Sequence, residues 1–406
     1  MGRLLTSLMI AAALGLTLAT AAGLPAAAVP KPASQVPRKG DAEFRAAWVA
    51  FAAPAADSEK SRSLEARQQA RMAAIPGMEA AVAADLGNPL YLESLAYICL
   101  TAAQNQKGKE AVDKAIAVKR DRPLLYMLRG QAEAVLAQMD PPKAGERIGP
   151  SLAAFDRAAH LDPSNSLPLF QGASVAFDVN RPDLALPRVK QALERPGARL
   201  YRVSVPEDLG PDKGTSLRTW QYVQLGQWFE VLARCRNVGK SLLSLASKAE
   251  AGGDLATAEQ RSQQALQVGR QVGEMQPHMF ITVWTAQDMM EDAYSSLVRV
   301  GEKTKSPDLE RWQGETGVIQ FARTQLAGVL EAYLKQAIKN LEPTVDWALE
   351  MEGESVAPVI AGMGLNPHTG EPKPTAKPAA SPAPPPPGSA GQRPAPPAGP
   401  RVQGRE

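Results

Sequence analysis

Aromatic residues are sparse in this 406-residue chain, with Phe, Trp and Tyr together at 5%. Alternating runs of Val, Ile, Thr and aromatics are sparser still, and LYRVSV (Leu200–Val205) is the one passable strand. A sheet needs several such runs to close a core, so the composition points to an all-α protein. Histidine occurs three times, at His160, His278 and His368. No HExxH, CxxC or paired-histidine spacing accompanies them, and zinc needs several ligands at set spacings. There is no serine in a G-x-S-x-G elbow and no glycine-rich phosphate loop. The expectation is a non-enzymatic protein without catalytic residues, metal or cofactor. Two cysteines are present, Cys99 and Cys235. An oxidising compartment would let them pair; otherwise they serve as small buried apolar side chains. The body of the chain also lacks a basic excess. The formal net charge is +3, and residues 366–406, with five basic and two acidic side chains, carry all of it. With a neutral remainder, nucleic acid is not an expected partner.

What the chain does have is alanine, within an apolar fraction of 44%. Alanine favours helices and lets them approach closely. The opening MGRLLTSLMIAAALGLTLATAAG has a positive start at Arg3, an apolar run from Leu4 to Leu18 and an Ala19-Thr20-Ala21 cleavage pattern. It reads as a signal peptide over 1–21, which implies a periplasmic, cell-envelope or extracellular address. Retained, the same run would just span a bilayer and act as an N-terminal anchor. Residues 22–40 form a Pro/Ala linker. Helical periodicity runs from about Asp41 to Gly364, with Gly or Pro breaks at Pro54, Pro76, Pro89, Pro123, Pro163, Pro196, Pro206–Gly214, Gly252-Gly253, Pro277, Pro307 and Pro343.

Three segments align: Tyr91–Pro123, Tyr126–Pro163 and Leu167–Pro196, whose closing prolines fall 40 and 33 residues apart. Each has a first helix with a small residue in its middle (Cys99, Gly130, Gly172). Each second helix then has small or apolar residues at spacings of four and three: Ala111/Ala115/Val118, Ser151/Phe155/Ala158 and Ala185/Val189/Ala192. A fourth segment, Lys240–Val272, places Ala246, Gly253, Ala258, Ser262 and Ala265 in phase. The pattern resembles the tetratricopeptide (TPR) repeat, a helix-turn-helix unit of about 34 residues. Ser151, Phe155, Ala158 and Pro163 fill its last four signature places in order, with Ser for Ala. The repeats are degenerate: the loop before Ser151 is about nine residues long in excess, and the first unit is weak around Lys107-Gly108.

The resemblance implies an α-α superhelix, a TPR-like solenoid of antiparallel helix pairs, over 41–276. Residues 277–364 continue as C-terminal helices packed on the array. The tail, 365–406, holds 13 of the 35 prolines, lacks the apolar residues to offset its ordering entropy and is expected to be disordered.

Ligands of this family often lie on the face lined by first helices, and some members hold a peptide carboxylate with Lys and Asn at the fifth and ninth positions. Here those positions are Ala96/Leu100, Met127/Gln131, Leu169/Ala173 and Leu243/Ser247, with no cation. An apolar groove lined by Leu100, Met127, Gln131, Leu169, Ala173, Leu243 and Ser247 fits better, for an amphipathic helix, an extended peptide or the protein's own flanking helix. The expected function is an exported, non-enzymatic scaffold for a protein or peptide partner in the cell envelope. Two other readings stand beside it: an exported enzyme or accessory subunit with a site around Asp288, Glu291, Asp292 and Trp312, and a membrane-tethered spacer. The three acids share a helix face, which more often is a solvated surface. His160 falls near a helix end, where it meets terminal carbonyls.

Overall fold

The computed structural model describes residues 38–53, 64–139, 142, 144–206, 216–275 and 280–339. The expected leader, most of the linker, His278, residues 340–364 and the Pro-rich tail lie outside the described residues. Among those described, twelve helices form and no strand. None of the helices is long and apolar enough to cross a membrane.

The helices come in consecutive pairs: α1 (Asp41–Ala52) with α2 (Leu64–Ala84), α3 (Pro89–Thr101) with α4 (Asn105–Val118), and α5 (Pro123–Gln138) with α6 (Ala144–Leu161). Then follow α7 (Leu167–Asp178) with α8 (Pro182–Leu193), α9 (Ser216–Ala251) with α10 (Leu255–Gly273), and α11 (Phe280–Thr304) with α12 (Leu309–Lys339). First helices also touch the next first helix, α3 on α5, α5 on α7, α7 on α9 and α9 on α11. Neighbour-on-neighbour packing of this kind makes an all-α superhelix, in which each pair buries its apolar face mainly against the next, and α9 also reaches α1.

The sequence marks the pair boundaries. Proline opens α3, α5, α7 and α8, where its missing N–H has no intrahelical partner to lose and its φ suits a helix. Asn88 caps α3 through Leu90 N at 3.1 Å, and Asp254 caps α10 through Thr257 N at 3.0 Å. Three turns between first and second helices share one hydrogen-bond pattern: Gln104 N to Cys99 O, Arg181 N to Ala176 O, and Asp254 N to Ala249 O, at 2.8, 2.8 and 2.9 Å. Each turn holds one left-handed residue, Ala103 (φ 59°), Asn180 (φ 56°) or Gly253 (φ 82°), the arrangement that satisfies the last carbonyls of a helix.

These turns correct the repeat register. In the fourth unit the small residue Ala246 lies seven residues before Gly253. The same offset gives Ala173, one place past Gly172, in the third unit and Ala96 in the first, three places before Cys99. The first unit's second helix then carries Gly108, Val112 and Ala115 in place of Ala111, Ala115 and Val118. The packing agrees, because a Cβ on Gly108 would lie 2.8 Å from the Leu100 side chain and 3.3 Å from Ala96 O. In the second unit the register holds as read. Ser151 Oγ donates to Gly130 O at 2.8 Å, and the Phe155 ring covers Gly130.

Three further expectations change. Pro76 does not break a helix but lies inside α2. Its side chain is exposed, and it offers no N–H to the Met72 carbonyl four residues before it. The segment before Ser151 is not all loop, because α6 begins at Ala144 and contains Pro150. LYRVSV is no strand. Just before it, Gly197 forms an isolated parallel bridge with Asn165 and Arg199 is also a bridge residue, while residues 200–206 carry no regular structure and lie over helix ends.

The core divides into two clusters. One gathers Phe44, Trp48, Phe51, Tyr91 and Tyr97 from α1 and α3, with ring centroids 5.0–6.1 Å apart. The other runs from α5 to α12 through Phe155, Phe170, Cys235, Met290 and Trp312. Ile116 and Tyr201 pack against both. The chain thus concentrates its few aromatics where alanine-rich helices cannot fill space.

Candidate functional site

Of the seven groove candidates, Met127 and Gln131 share one cavity. It lies on α5, is lined also by Leu200, Tyr201 and Val231 and is half open to solvent, with a volume near 20 Å³, about the room of one water. The face is therefore covered in part by the chain's own residues. Leu200 and Tyr201 belong to the segment Gly197–Pro206, and Val231 to α9, which also reaches α1. The other candidates do not join them. Leu100 packs over Gly108 between α3 and α4. Leu169 forms part of a separate cleft between α6 and α8. Ala173 is buried in the second core, Leu243 packs against that core and Ser247 is exposed.

The segment Gly197–Pro206 lies like a strap along the N-terminal ends of α7, α5 and α3, in that order. At its start Ser166 N donates to Gly197 O at 2.8 Å. Asn165 then makes a two-point contact with the backbone of Arg199: Nδ2 donates to the carbonyl and Oδ1 accepts from the amide, both at 2.9 Å. The same Oδ1 caps α7 through Leu167 N. Asp162, in the turn before α7, accepts from the Arg199 guanidinium at 3.2 Å and from Tyr201 OH at 3.2 Å. Arg195 fixes that turn by donating to the carbonyls of Ala159, Asp162 and Asn165.

At the far end Ser204 meets α3 and α5. Ser94 Oγ donates to Ser204 O at 3.5 Å, Arg122 Nη2 donates to Ser204 Oγ at 3.1 Å, and Glu93 Oε1 accepts from Ser204 N at 3.5 Å. Glu93, 1% exposed, is ion-paired with Arg122, with Nη2–Oε1 at 2.6 Å. Burial pushes its carboxyl up to about 7, against the opposing pull of Arg122. Between the ends, Ala198 and Val203 are each 2% exposed. Polar side chains thus hold the strap's backbone while apolar ones seat its side chains.

The acidic candidates form a structural ion-pair network. Asp288 pairs with Arg236 of α9 and, at 3.4 Å, with Arg323 of α12; Glu291 pairs with Arg323 and accepts from Gln320. Arg323 also sits over the Trp284 ring, 5.4 Å from its centroid. Asp292 is at the surface, and the surrounding protein, then Asp288 and Glu291, push its carboxyl upward. Trp312 does not join them. It is buried under Gly301, thirteen residues past Asp288, roughly 20 Å along a helix. No group of three or more His, Cys, Asp or Glu able to hold a metal occurs among the described residues.

His160 is exposed in the last turn of α6. It borders the cleft of about 370 Å³ that Leu169 shares with Asp156, Arg188, Gln191 and Arg195. There Arg188 is already committed to Asp156 through Nε–Oδ1 at 3.0 Å and Nη2–Oδ2 at 2.5 Å. Cys99 and Cys235 are free, buried and in different cores, and burial pushes each thiol up to about 12.

Glu93, Arg122, Asp162, Asn165 and Ser204 were not apparent from sequence. One signal was present: Glu93-Ser94 interrupts an otherwise apolar α3, PLYLESLAYICLT. No family model matches the chain, and no curated protein matches it.

Proposed function

We propose that the chain is an exported, non-enzymatic TPR-like scaffold that holds a protein or peptide partner in the cell envelope. The observation that carries the reading is the row of helix ends on α3, α5 and α7. That row already holds an extended polypeptide by its backbone, with Asn165 at one end and Glu93, Ser94 and Arg122 at the other. A surface that binds main chain in this way recognises peptide by shape and hydrogen bonding, with no covalent step. The corrected register supports the TPR likeness. Gly108, Ser151, Ala185 and Ala258 take one place in the four second helices, and Ala96, Gly130, Ala173 and Ala246 oppose them on the first helices. The leader pattern supports export, and membrane tethering applies if residues 4–22 are retained.

Two experiments test this. N-terminal sequencing of the mature protein is expected to begin at Ala22; an intact Met1 or Gly2 in a membrane fraction sinks the free, exported form. Pull-down from envelope extract, with full-length chain and with residues 366–406 removed, is expected to retain a partner. Retention of nothing above background by either removes the scaffold reading.

A further inference from the structure

We infer that the row of helix ends beneath Gly197–Pro206 is the peptide-binding seat of this protein and that the strap is its resident occupant, exchangeable for an extended segment of the same chemistry presented by a partner. The inference rests on the scaffold reading and names the surface and the class of ligand.

The seat reads main chain first. Asn165 engages both the N–H and the C=O of one residue, Arg199. Ser166 N and Ser94 Oγ meet the carbonyls of Gly197 and Ser204, and Glu93 meets the amide of Ser204. These contacts are available to any extended backbone, because they use groups every residue has. Side-chain selection comes from alternate positions, as an extended chain requires. Tyr201 lies between the two cores and Val203 is 2% exposed, while Arg202 between them points outward as an exposed residue. The seat also has unused room in the cavity of about 20 Å³ under Leu200 and Tyr201. The strap therefore fits its seat without filling it. The preferred partner is an extended segment with an aromatic residue, then a β-branched one two places later.

The probe is a labelled peptide of residues 196–207, PGARLYRVSVPE, followed by fluorescence anisotropy with the full-length protein. The variant Tyr201→Ser/Val203→Ser removes the two side-chain anchors of the resident strap and is expected to bind the probe at least tenfold more tightly than wild type. Adding Asn165→Ser, which keeps a helix-capping hydroxyl but loses the two-point backbone contact, is expected to abolish that gain. A folded Tyr201→Ser/Val203→Ser protein with no affinity for the probe overturns the inference.

Wild-type hydrogen exchange decides the matter independently of whether that variant folds. The amides of Arg199 and Ser204 are expected to exchange by local opening, at least tenfold faster than helix amides of α3, α5 and α7. Exchange of the strap only together with those helices overturns the inference, since an occupant that leaves only on unfolding cannot be replaced. A partner whose capture is unaffected by Asn165→Ser refutes the seat and leaves the scaffold reading intact.

Discussion

Substituting Gly130 by alanine separates the packing described here from simple helix propensity. In the middle of an exposed helix, Gly→Ala stabilises by about 1 kcal/mol. At Gly130 the added Cβ would lie 2.7, 2.8 and 2.9 Å from three atoms of the Phe155 ring. The ring has nowhere to go. Phe155 is 0% exposed, and the next pair's Gly172, given a Cβ, would already stand 3.4 Å from the Phe155 Cβ. Overpacking of a tight core costs about 1–3 kcal/mol, and three simultaneous contacts place this site at the upper end. Subtracting the propensity gain leaves a loss of about 2 kcal/mol, or about 3 °C in melting temperature for an array of roughly 300 residues. Thermal unfolding followed by circular dichroism measures it. Gly130→Ala with Phe155→Leu is expected to recover most of the loss. Gly314 on α12 is the internal contrast, because a Cβ there meets nothing within 4 Å, and Gly314→Ala is expected to raise stability by up to about 1 kcal/mol. A Gly130→Ala protein that melts at or above wild type refutes the α5–α6 crossing.

Ala103 occupies the left-handed turn position that glycine holds at Gly253, and Ala103→Gly is expected to raise the urea midpoint, by about 0.5–1 kcal/mol of stability, since a Cβ is disfavoured at positive φ. Glu93 has a folded-state pKa of about 7 against an ordinary 4.5, so the folded chain binds a proton that the unfolded chain lacks between those values. Stability is then expected to fall as pH rises from 4.5 through 7, by up to about 3 kcal/mol. Urea unfolding at several pH values reads this, and Glu93→Gln is expected to flatten that component; an unchanged slope contradicts the assignment. Cys99 and Cys235, each with its thiol pushed up to about 12, are expected to resist thiol reagents in the folded protein and to react together on unfolding. Labelling of either in native conditions contradicts their burial.

Local chemistry was legible where it decides structure within a pair. Ser151, Phe155, Ala158 and Pro163 revealed a second helix and its exit turn, because small and aromatic residues at those spacings shape the crossing to Gly130. The first repeat unit misled for an equally local reason. Its turn residue is Ala103, not glycine, so the small-residue place reads as Cys99 in place of Ala96, and the unit reads as weak around Gly108, which belongs to the helix crossing. The strap was not legible. Its fixing contacts join residues far apart in sequence, Asn165 with Arg199 and Glu93 with Ser204, and none has a local pattern. LYRVSV has the alternation of a strand, and that alternation is real; its partners are helix ends in place of another strand. The acidic face of α11 looked functional because the arginines that neutralise it, Arg236 and Arg323, sit on other helices.

The occupied seat is tested most directly by joining its far end to the strap. With Ser94→Cys and Ser204→Cys in the full-length protein, mild oxidation is expected to join the two introduced thiols directly as a disulfide within one chain, since Ser94 Oγ lies 3.5 Å from the Ser204 carbonyl and Ser94 is buried. Mass spectrometry of the monomeric band is expected to show the linked peptides. Two introduced thiols that stay reduced under oxidation, in protein that retains its helical spectrum, would contradict the placement of the strap on α3.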